Sequence, residues 1–420
     1  MGTALFTGVT GLLAHQRRLD VVANNIANVN TIGYRGSRTL FQDLFAQTIA
    51  GGSAPLGSFG GTNPQQIGLG VQIGSIDVDY GQGSLVTTGV SSDLAIQGNG
   101  FFVLSNDTLQ TFSRDGSFTL NANGVLIEPG TGFRVQGYSA DENGVINTDT
   151  QPIGDIVIPV GGTGIVRATT LTNLIGNLDS GTTTGETVSR TMEVFDSLGT
   201  ARTITLGFTK TAVANQWTWT ASFGNTQVGT GMVTFMNDGT LDPNDVLNTP
   251  TVTVPSATLQ GTDTATPDPL VFTLNMTQIT QLAANSDQGS DVTLRNQDGF
   301  PRGILESFNI GANGQVNGVF TNGLTRPIAQ VALATFANVG GLSRQGSNAF
   351  LETPASGVAQ VGVPSTGGRG IVSGGVLESS NVDLGTEFSE LIITQRGFQA
   401  NARTITAADT LLQEAVNLVR

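Results

Sequence analysis

A single histidine, a single lysine and no cysteine among 420 residues leave little with which to build a catalytic centre. Covalent catalysis needs a nucleophile beside a base, and zinc needs several imidazole or thiolate ligands. His15 has no such companions and reads as a solvated helix residue, while Lys210 is the only lysine. Calcium is the better rival, through the acidic loops Asp141, Glu142, Asn143, Gly144 and Asp238, Gly239, Asp242, Asp245. Neither has the ligand spacing of an EF-hand loop, so turns explain both better. The glycine runs at 51–61 and 367–375 lack the Lys-Ser/Thr pair that completes a phosphate loop. No catalytic, cofactor-binding or metal-ligating residue is predicted, and an enzyme is not expected.

Eighteen Lys and Arg stand against 32 Asp and Glu, a net charge of −14, which repels a phosphate backbone and argues against nucleic acid as a partner. Arg17 and Arg18 follow the first apolar residues, so no cleavable secretory signal is visible. No apolar run is long enough to suggest a membrane span. The length suits two to four domains, and 57 glycines favour short strands and tight turns.

Two elements at the ends stand out. Leu5, Leu12, Leu19 and Ile26 recur every seven residues, with Val9, Gln16 and Ala23 between them. The spacing returns in Leu384, Leu391, Phe398, Ile405, Leu412 and Val419, with Phe388, Gln395, Ala402, Asp409 and Val416 interleaved. Both are coiled-coil seams. Ser380, three residues before Asp383, offers an N-terminal cap for the second helix. The helices could simply pair within one chain, but Leu13, Val22, Ile392 and Leu411 lie off the stripes and need further neighbours. The seam residues are therefore expected to form an assembly interface. Residues 1–35 carry a net +2 and residues 383–420 a net −2, a small aid to association once salt screens it.

Between the ends the period drops to two, as in Val71, Ile73 and Ile76, Val78, Tyr80. Asn-Gly or Asp-Gly pairs begin at 99, 115, 123, 143, 238, 298, 313, 317 and 322, which predicts antiparallel hairpins. The stretch 49–66 carries no period and reads as linker, and the run Gly161, Gly162, Thr163, Gly164 marks a boundary. The expected fold is mixed but mainly β, with two nested antiparallel β domains flanked by terminal coiled-coil-type helices. Residues 1–30 and 380–420 form a helical core domain, 31–66 a linker, 67–160 and 301–379 an inner β domain, and 161–300 an inserted outer β domain.

Five segments, NNIANVNTIGYR at 24–35, DLAIQGNGFF at 93–102, FSRDGSFTL at 112–120, SNVDL at 380–384 and QRGFQANARTI at 395–405, resemble the axial proteins of the bacterial flagellum. Rod, hook and hook-associated subunits make up that family. Within it the insertion at 161–300 looks like the outer domain of a hook subunit, and length favours hook over the shorter distal rod protein. The resemblance implies a helical homopolymer outside the cell, in the hook of the basal body, that carries torque from rod to filament as a flexible joint. It implies export without a cleavable signal, and as partners the export apparatus, the distal rod protein, the hook cap and the hook-filament junction protein. The amides of Asn24, Asn25 and Asn28 could then bond neighbouring subunits. Other readings are a distal rod or other axial subunit and, in another class, a secreted adhesin or ligand-binding module.

Overall fold

The computed structural model describes residues 2–418 except 56, 58–59, 142–143, 149, 162–163, 244–248, 261–265 and 285–288. Val419 of the second seam, Gly162 and Thr163 of the glycine run, and Glu142, Asn143 and Asp245 of the acidic loops lie outside the described residues.

Helix α1 spans Gly2–Ala27 and α2 spans Leu384–Leu418. Neither contains proline, and the apolar heptads give each a continuous stripe. The end of α1 is set by its asparagines and by Gly33, whose φ of 67° suits glycine. The cap of α2 is Asp383 rather than Ser380. Thr386 N donates to Asp383 Oδ1 at 2.8 Å, and this bond, with others from the first turn, holds the Asp383 carboxyl below its ordinary range. Ser380 Oγ instead accepts Val382 N at 3.3 Å, ahead of the helix. No described helix is long and apolar enough to cross a membrane.

After α1 the chain forms β1 (Ser37–Asp43), β2 (Ala46–Ala50), β3 (Gln65–Gly68) and β4 (Val71–Val78). β1 pairs antiparallel with β4 from Ser37↔Val78 to Asp43↔Val71, and β2 pairs antiparallel with β3, beyond which Ser53 bridges Thr62. The stretch predicted as linker therefore begins and ends in paired strands. Its side chains are exposed on both faces, so no alternation marked it. Gly70 is required where this ribbon meets α1, because a Cβ there would sit 2.2 Å from Thr10 Oγ1.

The chain divides into two compact units. One comprises residues 1–158, 308–317 and 327–420, the other 159–307 and 318–326. In the first, Arg134–Ser139 pairs with Phe101–Ser105, which pairs with Gln110–Ser113, and that strand with Ala349–Leu351. Phe101, Val103, Phe112, Ala334, Leu342 and Phe350 form one buried cluster there, with edge-to-face ring contacts such as Phe112 on Phe336 at 4.8 Å.

The second unit holds two four-stranded sheets. Thr187–Phe195, Ala201–Lys210, Gln216–Phe223 and Thr226–Thr234 form an antiparallel meander. The other sheet runs in the order Thr251–Val254, Leu270–Thr280, Leu171–Asn177, Thr293–Gln297. Its central pair, Leu171–Asn177 and Leu270–Thr280, is parallel, within a region expected to be mostly antiparallel. Parallel neighbours need a long connection, and the meander lies in the chain between them. Alternating residues, Trp217, Trp219, Phe208, Phe272 and Leu274 among them, fill the core of this unit without any long apolar run in the sequence.

Six of the nine Asn-Gly or Asp-Gly glycines take positive φ; Gly116, Gly299 and Gly318 do not. Asn317 and Gly318 sit inside the strand Gln315–Phe320, and Gly116 is needed for close approach, since a Cβ would lie 1.7 Å from the Leu94 carbonyl oxygen.

Candidate assembly interface

The two long helices run antiparallel, and their line of closest approach is made of small and polar residues. A Cβ on Gly8 would lie 2.9 Å from Ile405 Cγ1, one on Gly11 2.6 Å from Asn401 Oδ1, and one on Gly397 2.5 Å from the His15 ring. Further along, Arg18 forms an ion pair with Glu390, and Asn25 Nδ2 donates to Glu387 Oε1 at 3.0 Å. Gly8, Gly11, His15, Arg18 and Asn25 are thus a second heptad-like row beside the leucine row. Burial lowers the His15 pKa, with Arg18 adding to the fall, and burial raises that of Glu387.

Of the predicted seam, Ile405 meets this line directly. Leu5, Leu12, Leu19, Ile26, Leu391, Phe398, Ile405 and Leu412 are half-buried, and Leu384 is exposed. Among the off-stripe residues Val22 is buried, while Leu13, Ile392 and Leu411 face solvent. Phe6 and Leu13 are each 53% exposed, Phe388 51% and Ile393 56%. Pairing within the chain therefore leaves large apolar side chains exposed on both helices.

The amides expected to reach other subunits bond within this chain. Buried Asn25 donates through Nδ2 to the Ser37 carbonyl at 2.7 Å and accepts Ser37 N at Oδ1 at 3.0 Å, copying a strand pair and fixing the start of β1 against α1. Asn24 Nδ2 donates to Tyr34 Oη at 3.0 Å, and Asn28 Nδ2 donates to the Asn24 carbonyl at 2.9 Å. Asn25 is a positioning residue, whereas Asn24 stays exposed and Asn28 half-buried.

A buried charge cluster joins the segments singled out in the sequence. The Glu378 carboxylate accepts Arg35 Nη2 at 2.8 Å, Arg114 Nη1 at 3.3 Å and Gly83 N at 2.8 Å, and the side chains of Arg35 and Glu378 are 0% exposed. Arg35 Nη1 also donates to the Gly81 carbonyl at 2.7 Å, and Arg114 Nη2 to the Gly98 carbonyl at 2.6 Å. Nearby, Asn381 Oδ1 accepts Gly36 N at 2.8 Å while its Nδ2 donates to the Asp79 carbonyl at 2.9 Å. Four of the five motifs converge here: residues 24–35, 93–102, 112–120 and 380–384. Desolvation pulls the Arg114 pKa down to about 10 against the opposing pull of Glu378. A buried ion cluster contributes little net stability, but removing one member costs about 3–5 kcal/mol, so it fixes geometry more than it adds free energy. Glu378, Asn381, Asn401 and the helix glycines are the residues that sequence reasoning passed over as individuals.

Four family models match segments of the chain: Flagella basal body rod protein at 5–35, Flagellar hook protein FlgE/F/G D1 domain at 95–171, Flagellar basal body protein FlaE D2 domain at 166–300, and Flagellar basal body rod FlgEFG protein C-terminal at 373–418. The Flagellar hook protein FlgE of Treponema pallidum is 36% identical and that of Borreliella burgdorferi 38%, each over 100% of both chains. The Flagellar basal-body rod protein FlgG of Bacillus subtilis is 29% identical over 99% of this chain and 99% of its own. Length alone therefore does not separate hook from rod, contrary to the sequence argument. Full-length identity above that of the rod relative does: the chain belongs to the flagellar hook protein family, a structural rather than enzymatic one.

Proposed function

We propose that the chain polymerises with copies of itself into the hook tube outside the cell, using the apolar surface that remains once α1 and α2 have paired. The observation that carries this is the exposure of Phe6, Leu13, Phe388, Ile392 and Ile393 on two helices that already have each other as partners. So many large apolar side chains left exposed on an already paired helix pair point to an interaction site. The half-buried row Leu5, Leu12, Leu19, Ile26 and Leu391, Phe398, Ile405, Leu412 belongs to the same interface. Each such side chain gains up to about 1.5–3 kcal/mol on full burial.

In this reading residues 1–30 and 380–420 are the packed core of the tube, 67–160 and 301–379 its inner β domain, and 161–300 the inserted outer domain. The tube bends and turns about its curved axis, passing torque from rod to filament. Thr, Asp and Gly abound in 161–300, and weak polar contacts there can be exchanged as the spacing of subunits changes. The distal rod protein, hook cap and hook-filament junction protein are the partners at the ends, and the export apparatus delivers the chain to them. Electron microscopy of the purified full-length chain at rising concentration tests the reading. Helical tubes are expected; particles that stay monomeric at every concentration would overturn it.

A further inference from the structure

A cavity of about 360 Å³ in the first unit is lined by Arg35, Tyr80, Asn99, Phe101, Arg114 and Phe336 among others. Arg35 and Arg114 bring two positive charges and share one carboxylate, Glu378, which leaves one charge unanswered. Among the described residues neither Asp79 nor Asp115 forms an ion pair with Arg35 or Arg114; their carboxylates accept Gly81 N at 2.8 Å and Ser117 N at 2.9 Å. Arg35 Nε, Arg114 Nε and Tyr80 Oη are buried and make no hydrogen bond among the described residues. Burial outweighs Glu378 at Arg114 and lowers its pKa to about 10, as expected of a cation with too little counter-charge. Tyr80, Phe101, Phe336 and Val339 give the lining an aromatic and apolar side, beside Asn99, Thr335 and glycine backbone. Phe101 packs edge-on against Tyr80 at 6.2 Å and against Phe336 at 5.9 Å, and the Arg114 guanidinium lies 5.5 Å from the Phe101 ring centre.

We propose that this cavity is a binding site for a monocarboxylate that bears an apolar or aromatic group. The carboxylate answers the excess charge of the Arg35–Glu378–Arg114 cluster, chiefly through the field in this poorly solvated region, and the aromatic lining takes the apolar part. A free small carboxylate and an acidic side chain of a second copy share this chemistry.

Titration calorimetry of the full-length monomeric chain with benzoate, against benzamide at matched ionic strength, tests the site. Saturable binding of one benzoate per chain and none of benzamide is expected. Asn99→Asp adds a negative charge at an exposed lining position and is expected to weaken benzoate about tenfold or more. Tyr80→Phe, which removes a donor without changing charge, is expected to weaken it less. Equal binding of benzamide, no saturable benzoate binding, or an affinity unmoved by Asn99→Asp would overturn the site. The same titration on assembled tubes distinguishes the sources: loss of the benzoate site means that a second copy supplies the carboxylate, and one retained site per chain means that a free carboxylate does.

Discussion

The sheet sandwich of residues 159–307 and the helix pair bury their apolar residues to very different extents. In the sandwich Trp217, Phe208, Val252 and Leu274 are fully buried. On the helices Phe388 and Ile393 stand more than half exposed, although each helix already has a partner. The difference lies in what each contact is made of. The sheets meet through large apolar side chains, whereas the helices meet through Gly8, Gly11, Gly397, His15 and Asn401 and keep much of their large apolar surface outside. One region completes its packing within the chain. The other leaves large apolar side chains open to solvent.

The strongest test of this contrast is the double substitution Phe388→Asp/Ile393→Asp. It is expected to abolish tubes in electron microscopy while moving monomer stability by no more than about 0.5 kcal/mol, because both side chains are exposed before assembly. Tubes of normal stability from this variant would sink the distinction.

Trp219→Ala probes the other side. It empties a fully packed position and is expected to cost the sandwich about 3–5 kcal/mol in denaturant unfolding. Hydrogen exchange in α1 and α2 should be unchanged.

Gly11→Leu is expected to loosen the helix pair by about 1–3 kcal/mol, seen as faster hydrogen exchange along α1, because the new side chain must displace Asn401. The sandwich should not respond.

The smallest effect is pH-dependent. His15 binds its proton less readily when folded than its ordinary pKa of 6.5 allows. Its contribution to the helix pair is therefore present above 6.5 and is lost as pH falls through the lowered folded pKa. The protection factors of α1 amides, taken relative to their intrinsic exchange rates at each pH, should fall over that acid range, and His15→Gln should remove this part of the pH dependence.

Local spacing made the helices and many turns legible in the sequence. Heptads survive any tertiary setting, and a glycine that needs positive φ announces a turn. What stayed hidden has specific causes. The strand pairs within 46–68 expose both faces, so no alternation betrays them. The parallel pairing of Leu171–Asn177 with Leu270–Thr280 joins segments about a hundred residues apart, as in the Thr172 bond to Thr273 at a separation of 101. Glu378 lies 343 residues from Arg35 and 264 from Arg114, and no local rule makes those three charges a buried cluster. The leucine row masked the glycine row beside it, so the helices were legible as heptads but the line along which they meet was not.

The charge cluster also bears on the order in which the chain can fold. Arg18 and Glu390 are 372 residues apart, so closing the helix pair directly from an unfolded chain means closing that whole loop. Once Arg35 and Arg114 are seated on Glu378, roughly 30 residues of free chain separate the same two positions, and closure becomes cheaper by about 2 kcal/mol. The β core is thus placed to form first and to act as a splint, bringing the first and last segments within reach of one another. Until that splint has set, α1 and α2 have the highest contact order in the molecule and the least reason to be helical, which leaves both ends open to proteases in a folding subunit whose middle is already resistant.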